Sequence, residues 1–384
     1  MINKFSPWPS FTKEESNIIQ KILLSNKVNY WTGTECREFE REFANWSESK
    51  YAVSLSNGTV ALDVALKALG ISEGDEVIVT PRSYIASVSS IVNSNATPIF
   101  ADIDLDTQNI THKSISTVIT NRTKAILCVH LAGWPCDMDE IMTLANKHNL
   151  YVIEDCSQAH GAKYKGKSVG SLGHIGCWSF CQDKIMTTGG EGGMVTTNYK
   201  AFWKKMWEYK DHGKSYEAVY ERDHSQGFKW LHDSFGTNGR MTEMQAGIGR
   251  IQLKKMQDWH KKRLSNAITI WNAARECNVL RVPKIPSYID HAAYKCYVFV
   301  NGNYSLRDKI MQLINDKGVP CYSGSCSEIY LEKAFDNSDF KPKERLKNAK
   351  ELGETSLMFL VHPTLTNKEI QKTCEAISEV CLSI

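Results

Sequence analysis

Short apolar runs alternate with stretches of helical periodicity along the middle of the chain. The runs predicted as strands cover residues 51–55, 76–80, 98–102, 124–130, 150–154 and 175–180, and the helical stretches between them cover residues 60–69, 83–92 and 137–148. The strand runs are apolar throughout, which indicates that both faces of the sheet are buried. Strands that alternate with crossover helices predict an α/β fold with a mostly parallel sheet covered by helices.

The segments on either side of this core have different patterns. The sequence TKEE at residues 12–15 is a capping box that predicts a helix ending near residue 24, and Phe39, Phe43 and Trp46 mark one face of a second helix. Beyond a helical stretch at 251–263 the pattern predicts a smaller α+β unit, so we expect a large domain at 1–255 and a small C-terminal domain at 256–384. The polar, aromatic stretch 215–232 is expected to be either a surface loop or a binding element.

Composition and charge narrow the class of protein. The chain has 384 residues, of which 42% are hydrophobic and 23% charged, as in ordinary globular proteins, so disordered and fibrous classes are excluded. The net charge of +3 gives no reason to expect a nucleic-acid partner. We expect no membrane association, because no apolar run reaches the ~18 residues of a membrane span and the N-terminal sequence lacks an apolar signal core.

Cysteine usage adds a prediction about the compartment. The twelve cysteines are scattered, with neither a CxxC pair nor a His/Cys cluster of the zinc type. We therefore expect free thiols that pack as small apolar residues in a reducing cytoplasm, and no metal site.

Three features follow predicted strands, and together they could bind and activate one ligand. Asp155 ends a buried strand, Lys184 lies after the next strand and before a glycine-rich segment, and a small-residue turn, SNGT at 56–59, opens a helix. Each alone is more simply explained as a structural feature, since most lysines are solvated and many aspartates cap helices. Together they supply an anion cradle, an aspartate for a pyridinium nitrogen and a lysine for an aldehyde, which are the contacts that pyridoxal phosphate requires.

With these features the chain resembles the DegT/DnrJ/EryC1/StrS family of pyridoxal-phosphate-dependent sugar aminotransferases, which have the fold type I architecture. The matching blocks are SNGTVAL at 56–62, GDEVIVTPRSYIAS at 74–87, IEDCSQAHGA at 153–162, SFCQDKIMTTGGEGGMVTT at 179–197 and GTNGRMTEMQAGIG at 236–249. They occur in the family's order and extend over nearly the whole chain.

The resemblance implies a role for individual residues. It implies that Lys184 is the catalytic lysine, which bonds to the cofactor and moves the proton, and that Asp155 pairs with the ring nitrogen. The other residues implied to bind pyridoxal 5'-phosphate are Gln158 beside the phenolic oxygen, Gly58, Thr59 and Ser179 at the phosphate, Tyr84 on the ring face, and Asn238 at the phosphate of a second subunit's cofactor. The last of these implies a homodimer with shared active sites, although this chain has Gly239 where the family usually has an aromatic residue.

The implied reaction is transfer of an amino group to a keto sugar. The expected substrates are a nucleotide-linked keto sugar and glutamate, with 2-oxoglutarate as the second product, in the synthesis of lipopolysaccharide O-antigen or another glycoconjugate. The alternatives are a dehydratase of the same fold and a non-catalytic family member acting as a sensor or scaffold; the lysine at position 184 favours transamination. The roles of His130, His160, His212, Trp31 and the 215–232 stretch stay open between substrate contact and simple packing.

Overall fold

The fold was analysed in a computed structural model that describes residues 5–302 and 304–384. Its helices are α1 (Lys13–Leu24), α2 (Glu35–Trp46), α3 (Gly58–Ala68), α4 (Ala86–Asn93), α5 (His112–Ser116), α6 (Met138–Lys147), α7 (Lys200–Lys210), α8 (Tyr216–Tyr220), α9 (Glu243–Arg275), α10 (Tyr304–Asp316), α11 (Lys347–Thr355) and α12 (Asn367–Leu382). Its strands are β1 (Tyr51–Leu55), β2 (Glu76–Val79), β3 (Thr97–Phe100), β4 (Thr123–Val129), β5 (Tyr151–Asp155), β6 (Lys163–Tyr164), β7 (Lys167–Ser168), β8 (Ile175–Ser179), β9 (Gly193–Thr197), β10 (Leu280–Arg281), β11 (Ile289–Asp290), β12 (Cys296–Val300), β13 (Cys321–Tyr322) and β14 (Ser356–Phe359).

The central sheet has seven strands in the order β1-β9-β8-β5-β4-β2-β3. Strands β8, β5, β4, β2 and β3 pair in parallel, and β9 runs antiparallel between β8 and β1. The predicted α/β fold with a mostly parallel sheet is therefore confirmed. Because β9 is the single reversed strand of this sheet, the carboxyl ends of β1, β8, β5, β4 and β2 all lie along one edge.

Helices cover the sheet on both faces, as the apolar strand runs predict. Successive strand residues alternate between two cores: Ile153 belongs to the core beneath α3 and α7, while Val152 belongs to the core beneath α6. Both side chains have no exposed surface. Because most positions of a strand buried on both faces are apolar, the sequence shows nearly continuous apolar runs.

The C-terminal unit is built on a smaller antiparallel sheet in the order β10-β12-β14-β13. Helix α9 joins the two units: its first half packs in the core around α2, and its second half packs with α12 in the core of the C-terminal unit. The domain boundary expected near residue 255 falls within this continuous helix, and the division into domains stays a prediction.

The N-terminal helices follow their sequence signals. The side chain of Thr12 accepts a hydrogen bond from the Glu14 N–H, and the Thr12 N–H donates to the Glu15 carboxylate at 2.9 Å, so the predicted capping box is present. In α2, Phe39 and Phe43 are fully buried. None of the helices in the described part of the chain combines the length and apolar character needed to cross a bilayer.

The cysteine prediction is wrong at one pair. Cys277 and Cys381 form a disulfide with their Cα atoms 5.9 Å apart, although 104 residues separate them in the chain. Spacing along the sequence could not reveal this pair, because Cys277 just after α9 and Cys381 in α12 meet only when those helices pack together. The other ten cysteines are free, and most are buried.

Candidate active site

A cavity of about 1060 Å³ opens at the carboxyl edge of the central sheet. Its inner wall comes from the ends of β4, β5 and β8 and from the start of α3, and its outer wall includes Tyr297 and Met358 of the C-terminal unit. Ligands of parallel sheets bind at this edge. Most of the site residues implied by the sequence line this cavity: Gly58, Thr59, Tyr84, Asp155, Gln158, Ser179 and Lys184.

Asp155 is a buried carboxylate at the end of β5, with only 5% of its surface exposed. Its Oδ2 accepts a hydrogen bond from the Ser87 hydroxyl at 3.1 Å, and its Oδ1 accepts one from the Ser157 backbone N–H at 3.0 Å. Among the described residues, both hydrogen-bond donors to this carboxylate are thus neutral. A buried negative charge without a cationic partner is costly, so the site favours a ligand that carries a positive group.

Gln158 has its side-chain amide oriented by the backbone. Its Oε1 accepts a hydrogen bond from the Ala132 N–H at 2.8 Å. Ala132 has a left-handed conformation with φ of 56°, which turns that N–H toward the glutamine. Because the oxygen is held in this way, the amide nitrogen of Gln158 is the group left to donate to a ligand oxygen in the cavity.

Lys184 lies in the loop between β8 and β9 and is partly buried. Its Nζ lies 3.8 Å from Asp183 Oδ1 and 5.4 Å from the centre of the Tyr294 ring. The Tyr294 hydroxyl donates to Asp183. Burial acts to raise the pKa of Asp183, but the Lys184 charge and the Tyr294 hydroxyl outweigh it and lower that pKa. The backbone carbonyl of Lys184 accepts a hydrogen bond from Trp8 Nε1 at 2.8 Å, which fixes the loop from behind.

The start of α3 forms an anion cradle. Asn57 caps the helix by accepting a hydrogen bond from the Val60 N–H at 2.9 Å, and the first N–H groups of a helix have no intrahelical acceptor. A Cβ atom at Gly58 would lie 2.6 Å from the Cβ of Ser179, so only glycine allows the helix start to meet the end of β8. Thr59 and Ser179 line the same cavity.

Tyr84 and Asn238 are both exposed, but only Tyr84 of the two lines the cavity. Tyr84 lines the cavity from the loop before α4 and has 72% of its surface exposed. Asn238 is exposed and lies outside the lining of the cavity of its own chain. Its backbone segment is nevertheless held on both sides, because Gly239 accepts from the Ser56 N–H and donates to the Lys210 carbonyl, each at 2.9 Å.

Two of the histidines whose roles the sequence left open, His130 and His160, pack inside the protein. His130 is fully buried; its Nδ1 accepts from the Cys136 N–H at 3.0 Å and its Nε2 lies 3.0 Å from Glu154, so both nitrogens bond within the core. His160 is buried against Trp178, and burial, with the nearby Lys184 charge, lowers its pKa to about 3.

The N-terminal and loop aromatics lie away from the cavity as well. Trp31 packs edge-on against Trp207, with the Lys214 amine above its ring. His212 adopts a positive φ in the turn after α7. The 215–232 stretch contains the short helix α8 and then exposes Phe228 and Trp230, which contact each other.

Sequence reasoning missed the residues that support Asp155 and Lys184. Ser87 and Ser157 hold the Asp155 carboxylate, and Asp183 with Tyr294 lies beside the Lys184 amine. Ser87 stands within a block that matches the family, which was a usable signal. Tyr294 comes from a distant part of the chain, and nothing in the sequence connects it with Lys184.

Comparison with known proteins places the chain among enzymes of one family. The model of the DegT/DnrJ/EryC1/StrS aminotransferase family matches residues 9–378. The chain belongs to this family. It is 36% identical to a GDP-perosamine synthase of Escherichia coli over 97% of this chain and 96% of that one, and 34% identical to a UDP-N-acetyl-3-dehydro-alpha-D-glucosamine 3-aminotransferase of Acidithiobacillus ferrooxidans over 94% and 91%.

A solved structure agrees with this family. The aminotransferase from Psychrobacter cryohalolentis is 63% identical to this chain and superposes on it with a TM-score of 0.97. The match covers 99% of this chain and 100% of that one. Members of the family are pyridoxal-phosphate-dependent aminotransferases, so the prediction of an enzyme of this class is confirmed. The sequence blocks had identified the same family.

Proposed function

We propose that the protein transfers an amino group from glutamate to the keto group of a nucleotide-linked sugar. The observation that carries this proposal is the arrangement in one cavity of the Lys184 amine, the Asp155 carboxylate and the open start of α3. These three groups are an amine, an acid with neutral hydrogen-bond donors and an anion cradle. Their chemistry fits pyridoxal 5'-phosphate, which carries an aldehyde, a basic ring nitrogen and a phosphate.

The residues of the cavity divide the binding of the cofactor between them. The N–H groups at Gly58 and Thr59 and the hydroxyl of Ser179 would hold the phosphate, since a helix start favours an anion. Asp155 would hold a protonated ring nitrogen, and the free amide nitrogen of Gln158 would donate to the phenolic oxygen. Tyr84 would cover one face of the ring.

Lys184 is the residue proposed to move the proton. When bound, the cofactor supplies an electron sink that stabilises negative charge on the substrate carbon. Lys184 Nζ takes a proton from one carbon and returns it to another, so the amine must be neutral in part of the cycle. The amine is partly buried, and Asp183 Oδ1 lies 3.8 Å from it.

A sugar linked to a nucleotide fits the rest of the cavity. A volume of about 1060 Å³ is at the upper end for small-molecule sites, which leaves room for a second ligand beside the cofactor. The names of the two relatives above include a GDP-linked and a UDP-linked sugar. The proposal therefore covers a nucleotide-linked keto hexose, used in lipopolysaccharide O-antigen or other glycoconjugate synthesis in the cytoplasm.

The working unit is proposed to be a homodimer in which each active site is completed by the partner chain. Asn238 supports this idea, because it is exposed on a segment whose backbone is fixed and which lies outside its own cavity. Three nearby aromatic side chains, Phe228, Trp230 and Phe235, have exposed fractions of 78%, 80% and 99%. Exposed aromatic residues of this density are typical of an interaction surface.

A half-reaction experiment tests the proposed function. Purified protein loaded with cofactor is mixed with glutamate, and the visible absorbance of the cofactor is followed; it should disappear and return when 2-oxoglutarate is added. UDP-, dTDP- and GDP-linked keto sugars are then compared as amino acceptors in the presence of glutamate. A cofactor absorbance that does not respond to any amino acid would contradict the aminotransferase proposal, and a response to glutamate without turnover of any keto sugar would contradict the sugar substrate alone.

A further inference from the structure

A second cavity, of about 290 Å³, lies next to the first and shares Asp183, Tyr294 and Lys295 with it. Its outer wall is the N-terminal segment from Phe5 to Trp8. The lining also includes Arg263 of α9 and His362, which follows β14, and the Trp8 ring packs against both side chains.

The N-terminal segment is fastened over this cavity at several points. The Ser6 hydroxyl donates to Glu369 at 3.0 Å, and the Pro7 carbonyl accepts from the Thr364 hydroxyl at 2.7 Å. The Trp8 indole N–H donates to the carbonyl of Lys184, so the segment ends directly behind the candidate active site. The N-terminal part of the cavity lining is therefore held in place by hydrogen bonds to three separate parts of the chain.

Arg263 is the unusual residue in this cavity. It is 1% exposed, and its Nη1 donates a hydrogen bond to the Tyr294 carbonyl at 3.3 Å. Within residues 5–302 and 304–384, its Nε and Nη2 have no hydrogen-bond partner. The Trp8 ring lies 4.9 Å from the guanidinium carbon and covers it. A buried guanidinium with two unused donors is costly unless an acceptor fills the cavity beside it.

The charges around Arg263 favour a negative ligand. Lys295 is a second cationic side chain in the lining, and burial lowers its pKa to about 8. His362 is neutral at pH 7, because burial, with the charges of Arg263 and Lys295, lowers its pKa to about 3. Asp183 is the acid of the lining, and it is engaged by the Tyr294 hydroxyl and by Lys184.

We propose that this cavity is a binding site for a small oxyanion, a carboxylate or a phosphate group carried by a small molecule. The planar guanidinium of Arg263 matches two oxygens of either group, and the Lys295 amine adds a second positive charge. Because the two cavities share a wall, the oxyanion enters either as a free ion or as part of a molecule that also reaches the first cavity. The proposal does not depend on which sugar is aminated.

Oxyanion binding to the cofactor-loaded protein tests the proposal. The thermal midpoint is measured against increasing succinate, phosphate and chloride at matched ionic strength, and dissociation constants are obtained by calorimetry. Succinate does not react with the cofactor, and loading with pyridoxal phosphate keeps phosphate out of the α3 cradle. Binding of succinate identifies a carboxylate ligand and binding of phosphate identifies a phosphate ligand; no oxyanion binding beyond the chloride control overturns the proposal.

Two arginine variants test whether the oxyanion binds in this cavity. Arg263→Met should weaken oxyanion binding by about tenfold or more, the usual worth of a charge-assisted pair of hydrogen bonds. Arg275→Met is the matched control, because it removes the same charge from an exposed position of the same helix. Oxyanion binding that is equal in Arg263→Met and in the wild type would place the anion elsewhere and overturn the proposal.

A second measurement keeps the test decisive if Arg263→Met does not fold. With its lowered pKa, Lys295 has a neutral fraction near pH 8 that reacts with an acylating reagent, and the extent of its acylation is read by mass spectrometry. A bound oxyanion should protect Lys295 in the wild type and in Arg275→Met. Lys295→Met should also weaken oxyanion binding; unchanged affinity in this variant together with no protection of Lys295 would overturn the proposal.

Discussion

Replacement of Asp155 by asparagine is expected to leave the stability of the cofactor-free protein unchanged or raise it, and to lower the stability of the cofactor-loaded protein. Asp155→Asn keeps the shape of the side chain and removes its charge. The amide oxygen can still accept from the Ser157 N–H, and the amide nitrogen can donate to Ser87, whose hydroxyl lies 3.0 Å from that of Ser83 and can donate there instead. The hydrogen bonds around position 155 therefore survive the substitution.

The size of the change in stability, in cofactor affinity and in kcat follows from the loss of the Asp155 charge. In the cofactor-free protein a buried carboxylate with neutral donors is unfavourable, so Asp155→Asn should leave the free energy of unfolding unchanged or raise it by about 1 kcal/mol. In the loaded protein the substitution removes a charge-assisted hydrogen bond to the ring nitrogen, worth about 1.5–3 kcal/mol. This corresponds to about 10- to 150-fold weaker cofactor binding. We expect kcat to fall by a further factor of about 100 or more, since each 1.4 kcal/mol of lost transition-state stabilisation is tenfold in rate.

The assay compares thermal unfolding with and without cofactor, the cofactor dissociation constant and turnover. Glu191→Gln is the matched control, because Glu191 lines the same cavity but is exposed, and it should change each quantity by less than about twofold. A folded Asp155→Asn protein with wild-type cofactor affinity and turnover would refute the assignment of Asp155. Strong destabilisation of the cofactor-free variant would refute the argument from the uncompensated buried charge.

Three further predictions concern other residues of the site. Lys184→Ala should fold and still bind cofactor without a covalent bond, but turnover should be abolished; near-wild-type transamination would show that another amine moves the proton. Gly58→Ala should weaken cofactor binding and destabilise the protein by about 1–3 kcal/mol, because the added Cβ would lie 2.6 Å from that of Ser179. Gly353→Ala in α11, with a nearest neighbour at 3.2 Å, is its control and should cost less, and equal effects would contradict the argument. Inactive Lys184→Ala and Asn238→Ala chains should regain one active site per heterodimer after subunit exchange; no recovery in proven heterodimers would contradict the role of Asn238, and full activity in a monomer would contradict shared sites.

Local signals in the sequence determined the architecture of the central sheet and the helices that cover it. Short apolar runs followed by helical stretches predicted the parallel sheet, because both faces of such a sheet are buried and most strand positions are therefore apolar. The capping box at Thr12 predicted the start of α1, since the atoms that form it lie within a few residues of each other. The same argument predicted that Asp155 and the turn before α3 lie close together, because both follow strands and the carboxyl ends of parallel strands meet at one edge; both line the same cavity.

Only the tertiary structure decided the contacts between distant parts of the chain. The Cys277–Cys381 disulfide, the hydrogen bond from Tyr294 to Asp183 and the cavity in which Trp8 covers Arg263 each join segments far apart in sequence. No local pattern encodes such a pairing, because a cysteine, a tyrosine or an arginine has the same local preferences whichever partner it meets. The partner is fixed by how α9, α12 and the N-terminal segment pack around the sheet, and that packing depends on the whole chain at once.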